Sequence, residues 1–193
     1  MPPPPARLVG AVFRAWSRFY DHPIFQRPFF RRVHAAVQAQ IDTAPHVIVD
    51  LGCGTALLTW DLAQRFPDAL VMGADRSRAM LRASRRRGAL TLPLLCADAY
   101  ALPLRTGSVD LVVSTISYHF YLEPRQALAQ IRRVLRPGGR LILATMATWF
   151  LRGRLGYLRL STTRDVQRDL AAAGFATLRV AHVWPAVRVF VAA

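Results

Sequence analysis

The chain reads as a single α/β domain built on an open, mostly parallel seven-stranded sheet with helices on both faces, a three-layer sandwich. Three features predict this. The apolar run Val47, Ile48, Val49 and Leu51, interrupted only by Asp50, is short and β-branched and reads as a buried parallel strand; Gly52 and Gly54 follow at once, and Ala56 to Phe66 then carries apolar residues at helical spacing. From that glycine turn onward strands and helices alternate with short joints, a pattern that builds a parallel sheet covered on both sides. At the end of the chain two strand-like runs meet at Trp184-Pro185, and a tight turn there makes them antiparallel neighbours.

The elements follow in order. Residues 1–5 form a proline-rich lead. Ala6 to Tyr20 then places Val9, Val12, Phe13, Trp16 and Phe19 at helical spacing, with Arg7, Arg14 and Arg18 between them. Pro23 and Pro28 break the chain, and a second helix runs from Pro28 to Ile41, so residues 6–41 form a helical segment ahead of a core at 46–193. The first helix suits two roles: packing over the domain, or resting on an anionic membrane surface or lipid-like substrate. A second strand, 69–75, ends in Asp75; Ser77 caps a helix through Arg87; a third strand, 90–97, ends before Asp98; the fourth is Val109 to Thr115. An amphipathic helix at 124–135 is stopped by Pro137-Gly138-Gly139, and the fifth strand is Arg140 to Ala147. Thr162 with Asp165 opens a helix that runs to Ala173 and ends at Gly174, before the strands Ala176 to Val183 and Val187 to Val191.

Composition narrows the function. At 193 residues, 53% hydrophobic and 19% charged, the chain is one globular domain rather than a disordered one. No apolar run approaches the roughly 20 residues of a membrane-spanning helix. With no signal-peptide pattern, the cytoplasm is the expected compartment. Cys53 and Cys96 fall where a parallel sheet would bury them and are read as reduced thiols, and the five scattered histidines offer no metal-ligand spacing. The net charge of +15 comes entirely from arginine, beside a single glutamate, Glu123. Codon composition accounts for such a skew better than nucleic-acid binding does, although an anionic partner stays open.

A glycine turn between strand and helix accommodates a nucleotide-like ligand, because the backbone bends sharply and the helix start offers N–H groups. A dinucleotide fingerprint needs a small residue where this chain has Leu57. The run Asp50-Leu-Gly-Cys-Gly-Thr-Ala56 instead resembles the first motif of class I S-adenosylmethionine (SAM)-dependent methyltransferases, Asp/Glu-x-Gly-x-Gly-x-Gly, with Ala56 in place of the last glycine. Gly73-Ala-Asp75-Arg-Ser77, Cys96-Ala-Asp98-Ala, Val109-Asp-Leu-Val-Val-Ser114 and Val134-Leu-Arg-Pro-Gly-Gly139 follow in the order of that family, and the likeness spans roughly residues 20 to 193. Within the family the chain resembles the ubiquinone/menaquinone-biosynthesis-like small-molecule branch.

The resemblance implies a Rossmann-like sheet of order 3-2-1-4-5-7-6 with an antiparallel C-terminal strand, SAM as cofactor and a small-molecule acceptor. It implies that Asp50, Gly52, Cys53, Gly54 and Ser114 line the cofactor, that Arg76 lies against the adenine ring, and that Asp98 and Ala99 meet the adenine edge. Asp75, about 20 residues after the glycines, stands where a carboxylate accepts ribose hydroxyls. Tyr20-Asp21 resembles the family's Tyr-Asp pair near the cofactor, and the helices at 6–41 take the place of its lid.

Methyl transfer from a sulfonium asks the protein mainly to align a nucleophile and exclude water, with a base needed only if the nucleophile holds its proton. His119, in Ser117-Tyr-His-Phe-Tyr121, is read either as that base or as a positioning or structural histidine, and Tyr20 is a second candidate at the reacting centre. Enzymes that methylate base amines carry Asn/Asp-Pro-Pro-Tyr/Phe where this chain has Ser114-Thr-Ile-Ser117, which disfavours such a substrate. Phe13, Trp16, Tyr20, Phe29, Trp149 and Tyr157 would border a pocket for an apolar, aromatic or lipid-like acceptor, or else form ordinary core. A catalytically silent module that binds SAM or S-adenosylhomocysteine is the rival function.

Overall fold

A computed structural model describes residues 29–85, 91–148, 153–155 and 158–193. The expected first helix, with Tyr20 and Asp21, lies outside these residues, as do Trp149 and Tyr157. The strands are β1 (Val47–Leu51), β2 (Leu70–Asp75), β3 (Leu94–Cys96), β4 (Val109–Thr115), β5 (Leu135–Met146), β6 (Gly153–Leu155), β7 (Leu158–Leu160), β8 (Thr177–Trp184) and β9 (Val187–Ala192). The helices are α1 (Arg31–Ala39), α2 (Leu57–Arg65), α3 (Arg78–Arg85), α4 (Pro124–Val134) and α5 (Thr163–Ala172). Seven strands form one sheet in the order β3-β2-β1-β4-β5-β9-β8, and β6 pairs with β7 in a separate hairpin. Counting only strands of the main sheet, the order is 3-2-1-4-5-7-6, as expected. β9 runs antiparallel to both β5 and β8, so it is the one reversed strand.

Alternation along the strands divides the core into two layers. Ile48, Leu111, Val113, Ile142, Val189 and Val191 pack with Val33 and Val37 of α1 and Leu58 and Leu62 of α2. Val49, Leu51, Val112, Leu141, Leu143 and Phe190 pack on the other face with Leu128 and Ile131 of α4 and Val166 and Leu170 of α5. α1 therefore belongs to the structural sandwich, although its residues fall in the segment read as a lid. The expected capping box is present: Thr162 Oγ1 accepts from Asp165 N–H at 3.1 Å, and Asp165 Oδ2 accepts from Thr162 N–H at 3.1 Å.

Four expectations are corrected. The third strand spans Leu94–Cys96 rather than 90–97, because Pro93 brings no N–H to the ladder and offers only its carbonyl, which accepts from Gly73 at 2.9 Å. Cys96 is exposed, since β3 is an edge strand; Cys53 is half-buried. The fifth strand begins at Leu135 rather than Arg140: the helix before it ends at Val134, within one residue of the expected bound, Leu135 is already extended and pairs with Val109, and pairing resumes at Arg140 beyond a bulge. Between the fifth strand and the helix opened by Thr162, where no element was expected, lies the β6–β7 hairpin.

A buried carboxylate ties that hairpin to the body. Asp169 of α5 accepts from Tyr118 Oη at 2.8 Å, Arg125 Nε at 2.9 Å and Arg159 Nη2 at 2.9 Å, joining α5, the turn after β4, α4 and β7. Burial pushes its pKa up, but these donors outweigh it and hold the carboxyl below the ordinary 3.8, so its contribution to stability is complete above that value and is lost as pH falls below it. Asp169→Ala should cost about 3 kcal/mol in a denaturant melt, because it strands Tyr118 and a partly buried Arg159. Tyr118→Phe, which leaves both arginines paired, should cost about 1 kcal/mol.

Candidate cofactor site

Three acids stand at the C-terminal ends of the first three strands. Asp50 is 1% exposed, and its Oδ2 accepts from Thr59 Oγ1 of α2 at 2.6 Å. Burial, reinforced by the charge of Asp75 and opposed by the Thr59 bond, pushes its pKa up to about 7. Asp75 accepts from Gly54 N–H at 2.8 Å through Oδ2 and from Ser77 N–H at 2.6 Å through Oδ1, so one carboxylate fixes both the glycine turn and the start of α3. Burial raises its pKa against the pull of those two bonds. Asp98 accepts from Tyr100 N–H at 3.1 Å and lies 3.7 Å from Arg76 Nε, an exposed pair worth little by itself. Ala99 beside it is buried. Burial and the neighbouring Asp50 and Asp75 push the Cys53 thiol up, which keeps it protonated.

The turn between these acids has an unusual backbone. Gly52, Gly54 and Ala56 all have left-handed φ values, +76°, +56° and +62°. The third position of the motif thus keeps its glycine-like conformation with an alanine in place, at a cost of about 1–2 kcal/mol. Opposite the turn, Ile116 also has a positive φ, +53°, an outlier for a β-branched residue. It bends the chain after β4 so that Ser117 lies directly on Gly52, where an added β carbon would sit 2.6 Å from that of Ser117. Ser117 Oγ is 2.6 Å from Ser114 Oγ and 3.3 Å from Tyr121 Oη.

His119, in the short 3-10 turn Tyr118–Phe120, is 4% exposed and its Nδ1 has no partner. Burial lowers its pKa to about 4, so the imidazole is neutral at pH 7 and a weak base. Among the described residues no cluster could hold a metal ion. One site residue went unread in the sequence: His34 of α1 lines a small pocket with Asp50, Gly52, Cys53 and Thr115. Burial and then the Arg31 charge lower its pKa to about 4. A lone histidine on an amphipathic helix gives no motif; only the packing of α1 across β4 and β5 brings it to the glycine turn.

Gly52→Ala should destabilise the fold by about 2–3 kcal/mol, combining the φ penalty with the Ser117 clash. In a Ser117→Gly background the same change should cost only about 1–2 kcal/mol, the φ part alone. Equal costs in both backgrounds, measured by thermal melts, would separate the turn from the loop opposite.

Residues 49–143 match the family described as methyltransferase domain. The chain is similar to a malonyl-[acyl-carrier protein] O-methyltransferase of Methylococcus capsulatus, 34% identical over 92% of this chain and 69% of the relative. It is also similar to a demethylmenaquinone methyltransferase of Thermus thermophilus, 39% identical over 56% of this chain and 50% of that protein. The chain thus spans about two thirds of one relative's length and half of the other's. A solved SAM-dependent methyltransferase of Aquifex aeolicus shares the fold, with a TM-score of 0.77, 17% identity and coverage of 93% of this chain and 97% of that one. The sheet order, the acids at its strand ends and the relatives agree: this chain belongs to the SAM-dependent methyltransferase family, whose cofactor is S-adenosylmethionine.

Proposed function

We propose that the protein binds SAM over the glycine turn and transfers its methyl group in line to a small acceptor at the ends of β4 and β5. The observation that carries this reading is the bridge from Asp75 to Gly54 N–H and Ser77 N–H, flanked by Asp50 and Asp98. Three carboxylates around one turn suit a ligand that brings a sulfonium and an ammonium. On this reading Asp75 takes the ribose hydroxyls on its remaining lone pairs. Arg76, Asp98 and Ala99 border the adenine, while Asp50, Gly52, Cys53 and Ser114 border the methionyl part. When bound, the cofactor supplies an activated methyl. The residues of the turn and of the chain after β4 would hold that methyl in line with the acceptor's lone pair, so that the new bond to carbon would replace the carbon–sulfur bond and its electron pair would remain on sulfur.

His119 is assigned a positioning role, because an imidazole with a pKa near 4 takes up a proton poorly. That suits a nucleophile that arrives already deprotonated. Tyr20 and the rest of residues 6–28 are assigned to the lid, and an apolar or lipid-like body of the acceptor would lie beneath them. Phe29, which packs edge-on to Trp184 at the end of β8, supports an aromatic border there. The compartment is proposed to be the cytoplasm; no helix among the described residues is long and apolar enough to cross a membrane.

Calorimetry with SAM and S-adenosylhomocysteine tests the central reading, and absence of binding at millimolar cofactor would end it. Turnover of SAM against a metabolite extract separates an enzyme from a silent binding module. Asp75→Ala should weaken cofactor binding by about 2–3 kcal/mol, the loss of charge-assisted hydrogen bonds.

A pH dependence follows from Asp50. Its folded pKa lies above the unfolded value, so the stability it contributes is complete below 3.8 and is lost as pH rises through about 7. A cationic cofactor favours the ionised form, so affinity for SAM should rise through that window. Asp50→Asn should flatten both profiles; an unchanged pH profile in the variant would remove Asp50 from the site.

A further inference from the structure

Six buried side-chain nitrogen or oxygen atoms among the described residues lack a hydrogen-bond partner, and four of them belong to one region: Thr145 Oγ1, Arg188 Nε, Ser161 Oγ and His119 Nδ1. Thr145 of β5 and Arg188 of β9 are cross-strand partners, so their side chains stand side by side on one face of the sheet, at the end where β5 finishes. Ser161 lies beside the chain leaving β5, its carbonyl accepting from Thr148 N–H at 3.1 Å. The turn that carries His119 packs against β5 and β7.

Arg188 is the anomaly. It is 2% exposed, and no carboxylate among the described residues pairs with it. Its Nη1 donates to the carbonyls of Trp184, Pro185 and Val187 at 3.0, 3.2 and 3.1 Å, which anchors the β8–β9 turn. That anchoring accounts for one nitrogen of the guanidinium. Among the described residues it leaves the positive charge without a carboxylate, and it does not account for the unpartnered Thr145 hydroxyl on the neighbouring strand. A buried cation without a counter-charge is costly, and buried polar groups are otherwise nearly always satisfied.

We propose that Arg188, with Thr145 and Ser161, holds a carboxylate of the methyl acceptor where β5 ends and β9 begins. The charge and the hydroxyl donors match what a carboxylate accepts, and the position is on the acceptor side of the sheet. This rests on the methyltransferase reading and narrows its acceptor to an anionic one, either free or carried on a thioester.

The test uses the full chain saturated with S-adenosylhomocysteine, titrated with malonate, with malonyl-coenzyme A and with the neutral isostere malonamide. Malonate or malonyl-coenzyme A should bind at least about tenfold more tightly than malonamide, and whichever binds identifies a free or a carried carboxylate. Arg188→Gln should abolish that preference. Should it fail to fold, Thr145→Val decides. Removing an unsatisfied hydroxyl should leave the melting temperature unchanged or higher, while carboxylate affinity falls several-fold and affinity for S-adenosylhomocysteine stays the same. Equal binding of the three probes, or unaltered carboxylate affinity in Thr145→Val, would overturn the assignment. Failure of wild-type protein to bind S-adenosylhomocysteine would instead sink the cofactor reading.

Discussion

The contact of Ser117 with Gly52 governs the geometry around it. The strand order reverses between β1 and β4, so the loops leaving these two neighbours meet over the sheet, and at this contact there is no room for a β carbon on residue 52. Both loops meet the constraint with left-handed backbone, Gly52 on one side and Ile116 on the other. Glycine adopts this conformation freely, whereas a β-branched residue does so only where packing holds it. Ile116 is held by the layer formed with α1 and α2, and its amide donates to Ala144 at 2.8 Å. The strain in one loop thus positions Ser117 on the glycine turn of the other.

Charge is distributed around that contact with a consistent sense. Only 11 acidic residues stand against 26 basic ones, yet Asp50, Asp75 and Asp98 all lie at the ends of the first three strands. Asp165 and Asp169, both buried, serve α5 and the β7 latch. Asp50, Asp75, Asp165 and Asp169 are each held by specific hydrogen bonds, whereas Asp42 and Asp98 stand in exposed pairs with Arg140 and Arg76. Three carboxylates thus gather at one end of the sheet in a chain otherwise dominated by arginine.

The sequence made the sheet legible because its strands are buried on both faces and punctuated by glycine, proline and aspartate. Asp50, Asp75 and Asp98 were legible for the same reason: each closes an apolar run. What stayed hidden depends on contacts across the sequence. Nothing local to Thr145 or Arg188 indicates that they stand side by side, since β9 inserts between β5 and β8 in reversed direction. His34 approaches the glycine turn only through the packing of α1. The early start of β5 at Leu135 reflects its pairing with Val109, a tertiary demand that acts ahead of the Pro-Gly-Gly signal in the chain.

Taken together, the two sides of the site differ in sign. The C-terminal ends of β1, β2 and β3 carry carboxylates, and the place where β5 ends and β9 begins carries an arginine that pairs with no carboxylate among the described residues. A cationic methyl donor and an anionic acceptor placed on these two sides approach each other across the Gly52–Ser117 contact. The proposed transfer neutralises the sulfonium and, where the carboxylate is itself the nucleophile, the acceptor charge as well. Charge annihilation of this kind gains most from a dry enclosure, where the field between the reactants is least screened. It needs no proton acceptor, which agrees with a buried His119 whose imidazole stays neutral. Retaining an unpaired buried Arg188 at a cost in stability makes physical sense if its counter-charge is the substrate.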